Sequence, residues 1–195
     1  MESRARMPYT ARFPVSSRIA AMQGMMLSVA AMVAVVAASN YFVQFPINDF
    51  LTWGAFTYPV SFLVTDLTTR FFGPARARRV VYAGFALAVL LSLWLASPRI
   101  ALASGTAFLV GQLLDIFVFQ RLRRLSWWRA PLASSSAGSV VDTLLFFSLA
   151  FAGTGLPLGT MILGDLAVKL GLAVLFLAPF RAAMNLAMPM QAAAR

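Results

Sequence analysis

The sequence predicts an all-α integral membrane protein with six transmembrane helices. The chain of 195 residues is 61% hydrophobic and 11% charged, with a mean hydropathy of +0.81. Soluble domains are about half apolar and about a quarter charged. Six apolar stretches approach or exceed the roughly 20 residues a helix needs to cross a bilayer. They cover about 19–43, 51–70, 80–97, 100–120, 130–153 and 159–180. The basic residues also alternate from one connection to the next. All but Arg99 and Lys169 fall in the two tails, between segments two and three, or between segments four and five.

Positively charged connections stay in the cytoplasm. Both termini are therefore expected inside, and the span count agrees with the charge pattern on independent grounds. The expected organisation is a basic cytoplasmic tail over 1–18, a six-helix domain over 19–180 and a cytoplasmic tail over 181–195. The tail and first segment have the order of a signal peptide, but the apolar run is longer than the 7–15 residues of such a peptide, so a retained first helix is expected. A net charge of +10 is compatible with nucleic-acid binding in general. Here the arginines flank apolar runs, where they set topology, and no direct nucleic-acid contact is expected.

In segment one, Ser39 and Asn40 place polarity near the outer end. Segment two contains TWGAFTYPVSFLVTD at 52–66, where Pro59 removes a backbone hydrogen bond mid-helix. Trp53, Phe56 and Tyr58 surround it, and such rings more often form an interfacial belt than a stacking surface for a ligand. Asp66 stands four residues before Arg70, on one helix face and about 6 Å from the inner end, so a local ion pair is one expectation for it. Segment three is plain. In segment four, GQLLDIFVFQRLRR at 111–124 sets Asp115 about 9 Å deep, with Gln112 on the same face. A carboxylate and an amide on one stripe can clamp a polar ligand, or they can bond neighbouring helices.

Segment five carries Ser135, Ser139 and Asp142 as a polar stripe, with Gly138 leaving room for a neighbour. Asp142 lies about 18 Å in, near the midplane. Segment six carries Asp165 and Lys169, the only lysine, at i,i+4 spacing. Lys169 is at nearly the depth of Asp142. The expectation is that one of the two aspartates pairs with Lys169 and the other is free. VTDLTTRFF at 64–72 and VVDTLLFF at 140–147 share a pattern, as a three-plus-three inverted repeat would leave in helices two and five.

An ionisable residue inside a span is costly and points to function. Hydrolysis is poorly supported. The chain has no histidine and no cysteine, no zinc motif and no phosphate-binding glycine loop. Gly164-Asp165 matches half of the motif of intramembrane aspartyl proteases, but the Tyr-Asp partner is missing. No catalytic residue, metal or cofactor is expected. Aspartates, serines and amides in a dry bundle suit a small polar solute, and a carboxylate accepts the adjacent N–H groups of a guanine-like base in a two-point contact.

GAFTYPVSFLVTDLTTRFFGPARARRVVYAGF at 54–85, ASGTAFLVGQLLDIFVFQRLRR at 103–124 and WWRAPLASSSAGSVVDTLLFFSLAF at 127–151 resemble the queuosine-precursor transporter family. The likeness covers segments two to six. It implies import of 7-deazaguanine bases across the cell's inner membrane for queuosine salvage in transfer RNA. The ligand implied is 7-cyano-7-deazaguanine, with its aminomethyl form as a second candidate. The matching polar positions are Asp66, Gln112, Asp115, Ser135, Ser139 and Asp142. Asn40 and Tyr58 complete the candidate substrate-binding set. Span count and ligand class also give a fold-level analogy to the six-helix substrate-binding subunits of energy-coupling-factor transporters. The alternatives are a carrier for another nucleobase or vitamin-like solute, and a membrane scaffold with structural aspartates. A homo-oligomer or an energising partner is compatible with either transport reading.

Overall fold

A computed structural model describes residues 15–42, 45–48, 51–95 and 98–192. Arg4, Arg6, Arg12 and Arg195, part of the charge argument, lie outside the described residues. The order is α1 (Val15–Phe42), β1 (Pro46–Asn48), β2 (Leu51–Thr52), α2 (Gly54–Thr57), α3 (Val60–Phe72), α4 (Pro74–Leu95), α5 (Pro98–Leu122), α6 (Arg129–Phe151), α7 (Leu158–Leu175) and α8 (Leu177–Ala192). The strands form a small antiparallel hairpin with Pro46 opposite Thr52 and Asn48 opposite Leu51. The Leu51 N–H donates to the Asn48 side-chain oxygen at 2.8 Å. Helical structure extends past the expected 19–180 domain at both ends.

By length and composition, four helical stretches suit a bilayer crossing: Ala21–Phe42, Pro98–Leu122, Arg129–Phe151 and Leu158–Leu186. The protein is thus a helical integral membrane protein. The second expected span is not one helix. It opens in β2 and is divided into α2 and α3 at Tyr58 and Pro59. Pro59 has no N–H for the Ala55 carbonyl, and its ring crowds that turn. The chain crosses the break with shorter bonds, from the Ser61 N–H to Tyr58 at 3.0 Å and from the Phe62 N–H to Pro59 at 3.1 Å. The same chemistry divides the last apolar stretch. Pro179 cannot donate to the Leu175 carbonyl, and α7 gives way to α8 at Phe176.

Between α3 and α4 the chain turns at Gly73, whose φ of +85° suits a residue without a side chain. Pro74 then opens α4, where a missing N–H costs nothing.

Lipid is as apolar as leucine, so helices in a bilayer associate by close packing and hydrogen bonds. Helices α5 and α6 show both. Gly111 and Gly138 face each other at their crossing, where a Cβ on Gly138 would stand 2.9 Å from the Gly111 carbonyl oxygen. One apolar cluster joins Met32 and Val36 of α1, Val80 and Val81 of α4, and Phe108 and Ile116 of α5. Another joins Phe119 of α5, Ala130 of α6, and Phe180 and Met184 of α8. The arginine-bearing turns meet at one end of the bundle. Arg70, near the end of α3, donates to the Arg123 carbonyl at 3.2 Å, and Arg181 of α8 lies 5.0 Å from the Trp127 ring centre. Arg99 stands at the other end, where its guanidinium ties the first turn of α5 to the Leu149 carbonyl at 2.9 Å.

Candidate functional site

The buried polar side chains gather in three adjoining groups between α3, α5, α6 and α7. The first centres on Asp66 of α3. Its two carboxyl oxygens accept one hydroxyl each, from Ser134 and Ser135 of α6, both at 2.8 Å. Asp66 and Arg70 form no ion pair, contrary to the local pairing expected at i,i+4. Arg70 reaches instead to the turn after α5, where a backbone carbonyl takes its guanidinium. Serine hydroxyls on the facing helix satisfy the carboxylate without the cost of burying a guanidinium.

Asp115 of α5 lies beside Asp66. It is completely buried, and neither of its carboxyl oxygens has a hydrogen-bond partner. Gln112, one turn earlier on α5, bonds Thr65 beside Asp66, and Gly138, one turn after Ser134 on α6, packs against the Asp115 Cβ, so the two carboxyl groups share one polar site. Ionised carboxylates only accept, so proximity alone makes no bond. An unpaired buried charge is among the most expensive features a fold can carry.

The second group is Gln112, one turn before Asp115. Its side-chain oxygen accepts the Thr65 hydroxyl at 2.6 Å, and its NH2 donates to the Ser61 hydroxyl at 2.8 Å. Gln112 is therefore bound to α3, and its spacing from Asp115 serves helix contact in this conformation. The third group surrounds Asp142 on α6. One of its oxygens accepts the Tyr58 hydroxyl at 2.7 Å, and the other meets Lys169 of α7 at 2.7 Å. Lys169 also meets Asp165 at 2.6 Å and donates to Thr143 at 2.9 Å, while Thr143 donates to Asp165. Both aspartates thus pair with Lys169, contrary to the expectation that one would be free. A lysine has three donors and can serve both acids and a hydroxyl at once.

The break at Pro59 positions Tyr58 for this network. Its hydroxyl reaches Asp142, and Lys169 lies 5.3 Å from its ring centre. Tyr58 is therefore part of the buried network. Trp53 and Phe56 are exposed. Ser135 and Asp142 sit in two different groups, with Ser139 buried between them on α6. Asn40 bonds the Val36 carbonyl of its own helix at 2.9 Å.

The sequence expectations missed Ser134, Ser61 and Thr65. Ser134 supplies half of the hydrogen bonding to Asp66. Ser61, Thr65 and Thr68 recur on α3 at helical spacing and are buried, a periodic polarity that pattern reading could have found. Among the described residues, no group of three His, Cys, Asp or Glu is placed to hold a metal ion.

Residues 52–97 and 92–184 match the profile of a family described as "Putative vitamin uptake transporter". The chain belongs to this family. Curated relatives agree with the resemblance drawn from the sequence. A "Probable queuosine precursor transporter" from Haemophilus influenzae is 42% identical, over 60% of this chain and 65% of its own. A "Queuosine precursor transporter" from Escherichia coli is 43% identical, over 60% of this chain and 64% of its own. A "Probable queuosine precursor transporter" from Bacillus subtilis is 29% identical, over 52% of this chain and 57% of its own. The chain spans just under two thirds of the length of the first two. No solved structure matches it. The family's description and the names of these relatives are those of transporters, and none of them names an enzyme.

Proposed function

We propose that this protein imports queuosine precursors across the cytoplasmic membrane, with 7-cyano-7-deazaguanine as substrate and the aminomethyl form as a second ligand. The observation that carries the proposal is Asp115, a fully buried carboxyl group without a hydrogen-bond partner, next to Asp66. The names of the curated relatives support the ligand class.

Asp66 and Asp115 together receive the polar edge of the deazaguanine. Ser134 and Ser135 hold Asp66 in place, and Gln112 fixes α5 against α3 beside them. The Asp142–Lys169–Asp165 network sets α7 against α6, and its bond to Tyr58 holds the broken helix. Six crossings with both termini inside complete this reading, because the arginine-bearing turns share one end of the bundle.

The test is uptake by cells that cannot make queuosine precursors. Cells expressing the chain receive 7-cyano-7-deazaguanine at low concentration, and queuosine in transfer RNA is scored. Rescue by the parent and loss in a well-expressed Asp115→Asn variant is the expected result. Rescue by both removes Asp115 from the ligand site. No rescue by a chain shown to be in the membrane ends the proposal. The purified protein should also gain about 2.7 kcal/mol of stability at a ligand concentration near a hundred times Kd, which a scaffold would not.

A further inference from the structure

The Asp66–Asp115 pair poses a question of charge. Asp115 is fully buried and Asp66 is 2% exposed. Two ionised carboxylates side by side can only accept hydrogen bonds, and like charges repel strongly in a dry interior. Among the described side chains, the cations of the surrounding elements are committed elsewhere or exposed. On α3, Arg70 bonds the Arg123 carbonyl. On α5, Arg99 bonds the Leu149 carbonyl and Arg121 lies over the Phe117 ring at 4.9 Å; in the turn after it, Arg123 bonds Gln120 and Arg124 is exposed. Arg129 of α6 lies over Trp128, and Arg181 of α8 over Trp127. Lys169 of α7 is held by Asp142 and Asp165, and Tyr58 bonds Asp142. On α4, Arg76, Arg78, Arg79 and Tyr82 are exposed, as is Tyr41 on α1.

The donors nearby are also distributed unevenly. Asp66 takes the hydroxyls of both Ser134 and Ser135, as an anion would, while Asp115 takes none. We propose that the pair holds one exchangeable proton, carried on Asp115 and directed at Asp66, and that this proton crosses the membrane together with the substrate. The inference rests on the import function proposed above and adds its driving force.

A proton fits this place better than a metal cation. Hard cations take about six oxygen ligands. The two serine hydroxyls already donate toward Asp66, so they turn hydrogens rather than free oxygens to the pair. A proton needs no such set of ligands. A protonated carboxyl also offers a donor beside its acceptor. With an ionised neighbour, it complements a guanine-like edge, which presents a carbonyl oxygen beside N–H groups. Asp115 donates to the carbonyl of the base and Asp66 accepts from its ring N–H. The proton comes from the outer medium onto Asp115, the base binds, and both leave on the inside. No covalent bond of the substrate changes.

The experiment uses the full chain in liposomes, with labelled 7-cyano-7-deazaguanine in sodium-free buffer. An outside two pH units more acidic than the lumen should raise initial uptake about tenfold over equal pH. At one proton per substrate it should sustain about hundredfold accumulation, since each pH unit is worth a factor of ten. A protonophore should abolish the effect, and adding substrate should make the outer medium more alkaline. Asp115→Asn, which carries no exchangeable acid, should lose that proton movement. Uptake indifferent to the pH gradient overturns the proton and leaves the import function standing. Uptake driven at equal pH by a sodium gradient also overturns it, in favour of a metal cation. No uptake under any gradient overturns the import function and the proton proposal together.

Discussion

Gly111 and Gly138 meet where α5 crosses α6, each with its open side toward the other's carbonyl. A Cβ on Gly111 would stand 3.1 Å from the Gly138 oxygen and 3.0 Å from the Asp142 Cβ. A Cβ on Gly138 would stand 2.7 Å from the Phe62 ring and 2.9 Å from the Gly111 oxygen. This contact sets the spacing at which α5 delivers Asp115 and α6 delivers Ser134, Ser135 and Asp142.

Gly138→Ala should therefore be costly, because part of the obstruction is backbone and cannot rotate away. Overpacking of this kind costs about 1–3 kcal/mol. Thermal unfolding in detergent should show the loss, and uptake should fall with it. Gly171→Ala in α7 is the control. Its added Cβ meets nothing within 4 Å, and alanine in a helix gains about 0.5–1 kcal/mol over glycine.

Lys169→Met should be among the most damaging single changes. It removes the cation from between Asp142 and Asp165 and leaves two buried carboxylates facing each other. Breaking a buried ion pair from one side costs about 3–5 kcal/mol. Adding Asp142→Asn and Asp165→Asn to the same chain removes the stranded charges and should recover most of the lost thermal stability. Failure of the triple variant to recover any would show that the network's hydrogen bonds, rather than its charge balance, matter most.

Pro59→Ala should separate stability from transport. It restores the N–H that the Ala55 carbonyl lacks, so the helix can run on through Tyr58. Melting temperature should hold or rise. Uptake should fall, because the Tyr58 hydroxyl is drawn away from Asp142, 2.7 Å distant in the structure. Tyr58→Phe should reproduce the uptake defect and cost about 1.5–3 kcal/mol, the range for a hydrogen bond to a charged group.

The chain has no cysteine, so single introduced cysteines report sidedness directly. Ser126→Cys, in the exposed turn between α5 and α6, should react with a membrane-impermeant maleimide only after the cells are opened. Thr154→Cys, in the exposed turn after α6, should react in intact cells. The opposite pattern would invert the topology.

Much of the fold could be read from local spacing. Apolar run length marks the four helical stretches that suit a crossing, because a bilayer demands about 20 apolar residues of any helix that crosses it. The charge of the connections gives an expected orientation. Pro59 was visible as a lost backbone bond, but neither the division of that span into α2 and α3 nor the hairpin before it was. Strand pairing there depends on how residues 46–48 meet 51–52 and leaves little trace in so short a stretch.

The polar residues were legible as a set, since a carboxylate in an apolar run stands out against its neighbours. Their partners were not. Asp66 and Arg70 share a face by spacing, yet Asp66 bonds Ser134 and Ser135 from 68 and 69 residues away. Asp165 and Lys169 do pair locally, but Asp142 joins them from another helix. The sequence by itself determined which costly polar groups stand within apolar helical runs and must be satisfied there. Only the tertiary structure decided which group satisfies which, because that depends on how closely and at what rotation the helices pack. That same packing, governed by glycines at the α5–α6 crossing, leaves Asp115 buried beside Asp66 with no partner.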